Sequence, residues 1–285
     1  MPFDPARAVE RAARDSYGRL VAYLAARTRD VAGAEDALAD AFVAALEAWP
    51  TTGVPDNPEA WLLAAARNRT LDAARHRKVR EAAEPALRAA AERLQSAVEL
   101  PDERLKMLFL CAHPALDPAT HTPLMLQVVL GLDAAAIGAA FLVAPSTMGQ
   151  RLVRAKTKIR SAALRFDLPD EPNWSERAEA VRDAIYAAFG NGWEDANGTD
   201  PARRGLATEA IWLGRLLVKL SPDDPESRGL LALMLHCEAR LAARRGPRGE
   251  FVPLAEQDVA LWDGPKIDEA ESLLEVAVRA GRIGR

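Results

Sequence analysis

Apolar residues recur at three- and four-residue spacing through most of this chain, on a background of abundant alanine with few clusters of β-branched residues. Such spacing lines one face of a helix, and alanine is the best helix former and a weak strand former. The pattern predicts an all-α protein. At 285 residues the chain suits about two domains, or three small ones.

The expected organisation follows the apolar stripes and the breaks between them. Residues 6–28 carry Val9, Ala13, Tyr17, Leu20, Val21 and Leu24 largely on one face. Residues 31–49 set Ala34, Leu38, Ala41, Phe42, Ala45 and Leu46 inward, with Glu35, Asp36, Asp40 and Glu47 outward. Prolines, a glycine and an asparagine make residues 50–58 a loop. Asn57 or Pro58 then opens a helix through Trp61, Leu62, Ala65, Asn68, Leu71 and Asp72 to about Arg77. The expected domains are 1–78, a linker over 79–100, 101–166 and, after the break Leu168–Trp174, 174–285. No internal repeat has a convincing period.

Charge narrows the function. The net charge is −4 and the isoelectric point about 5.7, which excludes a protein that simply coats DNA. Local basic patches remain. Over 61–80, Arg67, Arg69, Arg75, Arg77, Lys78 and Arg80 face Asp72 alone, and over 145–160 Arg151, Arg154, Lys156, Lys158 and Arg160 face no acid. Cys111 and Cys237 are too few for a disulfide framework. The N-terminus has no apolar signal core and no stretch reaches the length of a membrane span, so the cytoplasm is the default compartment.

Residues 133–159 read as two helices joined by a tight turn. Ala134, Ile137, Gly138 and Phe141 form the inner face of the first, and Pro145-Ser146 opens the second. Met148, Leu152, Ala155 and Ile159 pack inward, while Ser146, Thr147, Gln150, Arg151, Arg154 and Lys158 form the outer face. Gln and Arg offer paired donors to base edges in a major groove, and Ser and Thr hold phosphates. Arg154, Lys156 and Lys158 lie further along, where the DNA backbone would be met. A plain solvated basic face is the competing reading.

The motif Ala34-Glu35-Asp36-Ala37-Leu38-Ala39-Asp40-Ala41-Phe42 is followed by Trp49-Pro50, Pro58-Glu59-Ala60-Trp61-Leu62, Ala65-Ala66-Arg67-Asn68 and the stretch Asp72–Arg77. Together these resemble region 2 of RNA polymerase sigma factors of the extracytoplasmic-function (ECF) group, and residues 132–159 resemble region 4, the helix-turn-helix of that family. Residues 109–116 (FLCAHPAL) and the run FLVAPSTMGQRLVRAKTKIRSA are similar to a subgroup with a long, tetratricopeptide-like C-terminal extension. The resemblance implies binding to core RNA polymerase, at the largest-subunit clamp helices and the flap, and to promoter DNA.

By match, Glu35, Asp36, Asp40 and Phe42 belong to the polymerase contact. Trp61, Arg67, Asn68, Asp72, Arg75, Arg77 and Lys78 correspond to the part that opens the −10 element and holds one strand. Strand capture needs cations along phosphates and groups that stack on or hydrogen-bond with unstacked bases. The spacing of Trp61 with Leu62 and Ala65 also suits a core anchor. The outer face of the second helix at 145–160 would read the −35 element. Two positions depart from the family: Ala134-Ala135-Ala136 replaces a common acid, and Gln127 a usual basic residue.

In the last third, the expected cores are Val181, Ile185, Tyr186 and Phe189; Ala210, Ile211, Leu213, Leu216 and Leu217; Leu230–Leu235 with Leu241; and Ile267, Leu273, Leu274 and Val278. Residues 207–220 and 229–243, with Glu256-Gln257-Asp258 and Trp262-Asp263, resemble the subgroup's extension, for which a regulatory role or a regulatory partner is the expectation. Cys111, His113 and His121 are one ligand short of a zinc site. His76, His236 and Cys237 have no recognisable spacing, and Glu256, Asp258, Asp263, Asp268 and Glu269 read as a solvated cluster. No phosphate loop or nucleophile elbow is present. The reading is a non-enzymatic protein without cofactor or metal. A helix-turn-helix regulator acting without polymerase and a helical scaffold are the alternatives.

Overall fold

The computed structural model describes residues 5–72, 102–169, 174–194 and 205–281. Among them every regular element is an α-helix or a 3-10 turn, apart from one isolated antiparallel bridge between Arg245 and Phe251. The fold is all-α. The chain divides into two compact units, one through residue 171 and one from residue 172.

The first unit contains α1 (Pro5–Thr28), α2 (Val31–Thr52), α3 (Pro58–Asp72), α4 (Arg104–Cys111), α5 (His121–Leu130), α6 (Ala134–Ala140) and α7 (Pro145–Ser161). Short polar side chains start several of them by accepting an otherwise orphaned backbone N–H. Asp30 accepts from Gly33 at 3.1 Å, Asn57 from Ala60 at 2.9 Å, and Asp133 from Ala136 at 2.7 Å. The residues expected in the linker at 79–100 lie outside the described residues.

Helix α2 runs on to Thr52, through Pro50, where the sequence predicts a loop. Proline lacks an N–H, but in the final turn this removes only one helical bond. The hydroxyls of Thr51 and Thr52 donate back to the Ala48 carbonyl at 2.9 and 3.0 Å, and the Gly53 N–H closes on Trp49 at 3.0 Å.

The core of this unit rests on α1, which packs against α2, α3, α4 and α5. Leu20, Val21, Leu24, Leu38, Leu62, Leu63, Phe109, Leu124 and Met125 are all buried there. One residue sets how closely α1 meets α5. A Cβ on Gly18 would lie 1.8 Å from the Val129 carbonyl oxygen, so only glycine permits this backbone contact. Leu46, expected inward, is 48% exposed. The buried stripe of α2 runs through Ala34, Ala37, Leu38, Ala41, Ala45 and Trp49, and that phase turns Leu46 to the outside.

The second unit contains α8 (Trp174–Glu194), α9 (Leu206–Leu220), α10 (Pro225–Ala239) and α11 (Gly264–Arg279), with three short 3-10 turns between the last two. Consecutive helices pack on each other in chain order. Val181, Ile185, Phe189, Ala210, Ile211, Leu213, Leu217, Leu231 and Leu235 form its core, as the spacing predicts. Tyr186, Leu233, Leu241 and Val278 are exposed instead, and Leu216, Ile267, Leu273 and Leu274 are only partly covered. For Ile267, Leu273, Leu274 and Val278 of α11 the reason is geometric. Helix α11 packs chiefly on α10, so among the described residues its far side has no neighbour to cover it.

Polar contacts tie these helices together. Arg182 of α8 pairs with Asp224 at the start of α10 at 2.8 Å, and Ser227 donates to the same carboxylate at 2.6 Å. Arg215 of α9 makes a two-pronged pair with Glu269 of α11, at 2.7 and 2.8 Å. That hydrogen bonding holds the Glu269 carboxyl below its usual range. The Arg244 guanidinium lies 3.8 Å over the Trp193 ring and donates to the Trp193 carbonyl at 2.9 Å.

Candidate nucleic-acid interface

The pair α6–α7 forms two helices joined by a short turn, with Ile137 and Gly138 buried, while Phe141, expected on the inner face, is 39% exposed where α6 ends and the turn begins. Four residues, Phe141–Ala144, connect the two helices. Asp133 caps α6, and Pro145 occupies the first turn of α7, where its missing N–H costs nothing. The turn closes tightly because residue 138 is glycine: a Cβ there would approach the Val143 carbonyl oxygen to 2.6 Å. Met148, Leu152, Ala155 and Ile159 are buried, and Ser146, Thr147, Gln150, Arg154 and Lys158 are exposed. Arg151 lies between these extremes.

Two cations of α7 point elsewhere. Lys156, expected at a DNA backbone, turns inward, and its Nζ lies 2.7 Å from the Glu35 carboxylate of α2. Both side chains are largely covered, at 14% and 13% exposure. The face expected to meet phosphates with Arg154, Lys156 and Lys158 therefore presents Arg154 and Lys158 alone. Arg160, 60% exposed, lies 3.5 Å from Asp30, and such a surface pair contributes little.

Glu35 is the counterpart of that correction. It reads as an outward acid in sequence, yet its carboxylate also accepts a hydrogen bond from the Tyr17 hydroxyl at 3.3 Å. Burial and the Glu35 charge both push the Tyr17 phenol well above its ordinary range, so it stays the donor. Asp36, Asp40 and Glu47 do stand on the exposed side of α2, and Phe42 is half-buried. The sequence reading missed Val43 and Leu46, which are 52% and 48% exposed beside them. Helix phase places residues 36, 40, 43 and 47 on one stripe, so the outer face of α2 is both acidic and apolar.

In α3, Trp61 is a core anchor. It is 6% exposed, and its ring meets Trp49 edge-on with centroids 5.6 Å apart. This conformation leaves no ring face for a base, which removes Trp61 from the strand-holding set expected of the sequence. Arg67 is exposed and Asn68 half-exposed, both toward the end of α3. Asp72 is the last described residue of that helix, and Arg75, Arg77 and Lys78 lie outside the described residues. Arg19 of α1 pairs with Glu59 in the first turn of α3, a contact between the two helices.

The remaining polar candidates form no reactive site. Cys111 is fully buried, and burial together with the Glu35 charge raises its thiol far above the ordinary range, so it stays protonated. Among the described residues no group of His, Cys, Asp and Glu side chains is arranged to hold a metal ion. No helix of the described residues is long and apolar enough to cross a membrane.

Residues 13–80 match Sigma-70 region 2, a segment that takes in α1 from residue 13 and all of α2 and α3. Residues 177–278 match a family of unknown function, DUF6596, over nearly all of the second unit. The chain is 39% identical over 261 residues to an uncharacterized protein of Rhizobium meliloti (strain 1021), an alignment covering 88% of this chain and 61% of that protein. The chain thus spans less than two thirds of that relative's length. No solved structure matches it.

Proposed function

We propose that the chain is a sigma factor of the ECF type, which binds core RNA polymerase and directs promoter-specific initiation. The observation that carries this reading is the Sigma-70 region 2 match on α1–α3, joined in one compact unit to the two-helix element α6–α7 with its polar and basic outer face.

Each surface has a task suited to its chemistry. The acidic and apolar stripe of α2, with Asp36, Asp40, Val43 and Leu46 and half-buried Phe42, meets a basic helical surface of polymerase such as the clamp helices. The outer face of α7 enters the major groove as the second helix of a helix-turn-helix. Ser146, Thr147, Gln150 and Arg151 lie at its leading end, and Arg154 and Lys158 lie further along. Arg67 and Asn68, with Asp72, Arg75, Arg77 and Lys78 after them in sequence, hold the opened −10 strand. Separate roles for 1–78 and 101–166 belong to the same proposal, as does regulation by the C-terminal helices at 174–285.

Co-purification with core polymerase, followed by run-off transcription from promoter libraries, tests the reading. Binding to core enzyme with promoter-dependent transcripts is the expected result. Duplex binding without any affinity for core enzyme would instead establish a helix-turn-helix regulator that works without polymerase.

A further inference from the structure

Lys156 and Glu35 are 121 residues apart in sequence, and their contact joins the helix proposed to read DNA to the helix proposed to meet polymerase. Tyr17 contributes the third member from α1, donating to the other carboxylate oxygen. The surrounding contacts are built for closeness. Gly18 brings α1 against the α5 backbone, and at Gly131, which ends α5 with φ +70°, a Cβ would already stand 3.1 Å from the Tyr17 ring. Cys111, at the end of α4, lies fully buried within the electrostatic reach of both Glu35 and Lys156.

We propose that Tyr17, Glu35 and Lys156 form a latch that holds α4–α7 closed on α1–α3, and that engagement of polymerase requires this latch to exchange Lys156 for a cation of the partner. The chemistry is competition for one carboxylate. A covered carboxylate stripped of its cation is costly, so the closed state persists unless another positive group replaces Lys156. A basic protein surface supplies such a group, and water supplies it poorly. Separation then frees α7 to move away from α2. The identity of the partner rests on the sigma-factor reading, whereas the latch itself does not.

Cys111 reports the opening. In the full chain carrying Cys237→Ser, which leaves Cys111 as the sole thiol, the rate of alkylation by N-ethylmaleimide is followed by mass spectrometry. The charge reversals Lys156→Glu and Glu35→Lys are expected to speed labelling by about tenfold or more, through easier sub-global opening. The double variant carrying both reversals restores the pair with opposite polarity and returns labelling toward the slow rate. Gly18→Val opens the same contact from the α1–α5 side without touching a charge, and circular dichroism confirms that each variant keeps its helices. Adding core polymerase is expected to speed Cys111 labelling in the otherwise unaltered chain.

The latch is overturned if the single reversals label no faster, or if the double variant labels as fast as they do. Polymerase that binds without changing Cys111 labelling overturns the exchange step. Absence of any polymerase binding removes the sigma-factor reading instead, while the charge-reversal series still decides the latch.

Discussion

Leu142 occupies the left-handed region at φ +54° while its side chain is 96% exposed, in the turn between α6 and α7. An L-residue there carries a steric cost that glycine avoids, and no packing offsets it at this position. Leu142→Gly is therefore expected to raise the unfolding free energy by about 0.5 to 1 kcal/mol, after the extra chain entropy of glycine is subtracted. Thermal unfolding checks it, and a lower midpoint would count against the strain. At the same scale the sequence is readable where a residue's environment is local. Met148, Leu152, Ala155 and Ile159 recur at helical spacing, and all four are buried. Glu35 was not readable, because nothing near it in sequence announces a lysine 121 positions away. Leu46 failed for a subtler reason: on an alanine-rich helix such as α2, the apolar stripe can be phased in more than one way, and packing with α1 and α3 chose the phase.

Helices fared better than single side chains. The starts of α2, α3, α6 and α7 fall at or within a residue of the expected positions, at Val31, Pro58, Ala134 and Pro145, although the capping roles of Asp30 and Asp133 were not read from the sequence. The end of α2 was not legible, since Pro50 is a reliable breaker only where its missing hydrogen bond cannot be borne by a final turn. For α7 the separation of faces gives a quantitative expectation. Replacing Arg151, Arg154 or Lys158 by Ala should weaken promoter DNA binding, and removing one cation from a phosphate should reduce the slope of log affinity against log salt by about one. Fluorescence anisotropy across a salt series measures this. Slopes identical to the unaltered chain in all three variants would mean that α7 presents a merely solvated basic face.

Over the whole molecule, the all-α class was legible because every level of the sequence agreed on it, from alanine content to apolar period and capping residues. The packing of α4 and α5 against α1, and of α7 against α2, was not, since it depends on Gly18 and on contacts between segments on either side of residues 73–101. The second unit, matched by DUF6596, has a readable core and a role that rests on proposal. If it regulates the first unit, removing the residues after Phe166 should change promoter output in a reconstituted assay, and unchanged output would exclude that role. The central claim is more direct still: the purified chain, mixed with core RNA polymerase, should co-elute with it and direct run-off transcripts that core enzyme alone does not make. A chain that binds duplex DNA yet never associates with core polymerase, and yields no such transcript, would contradict it.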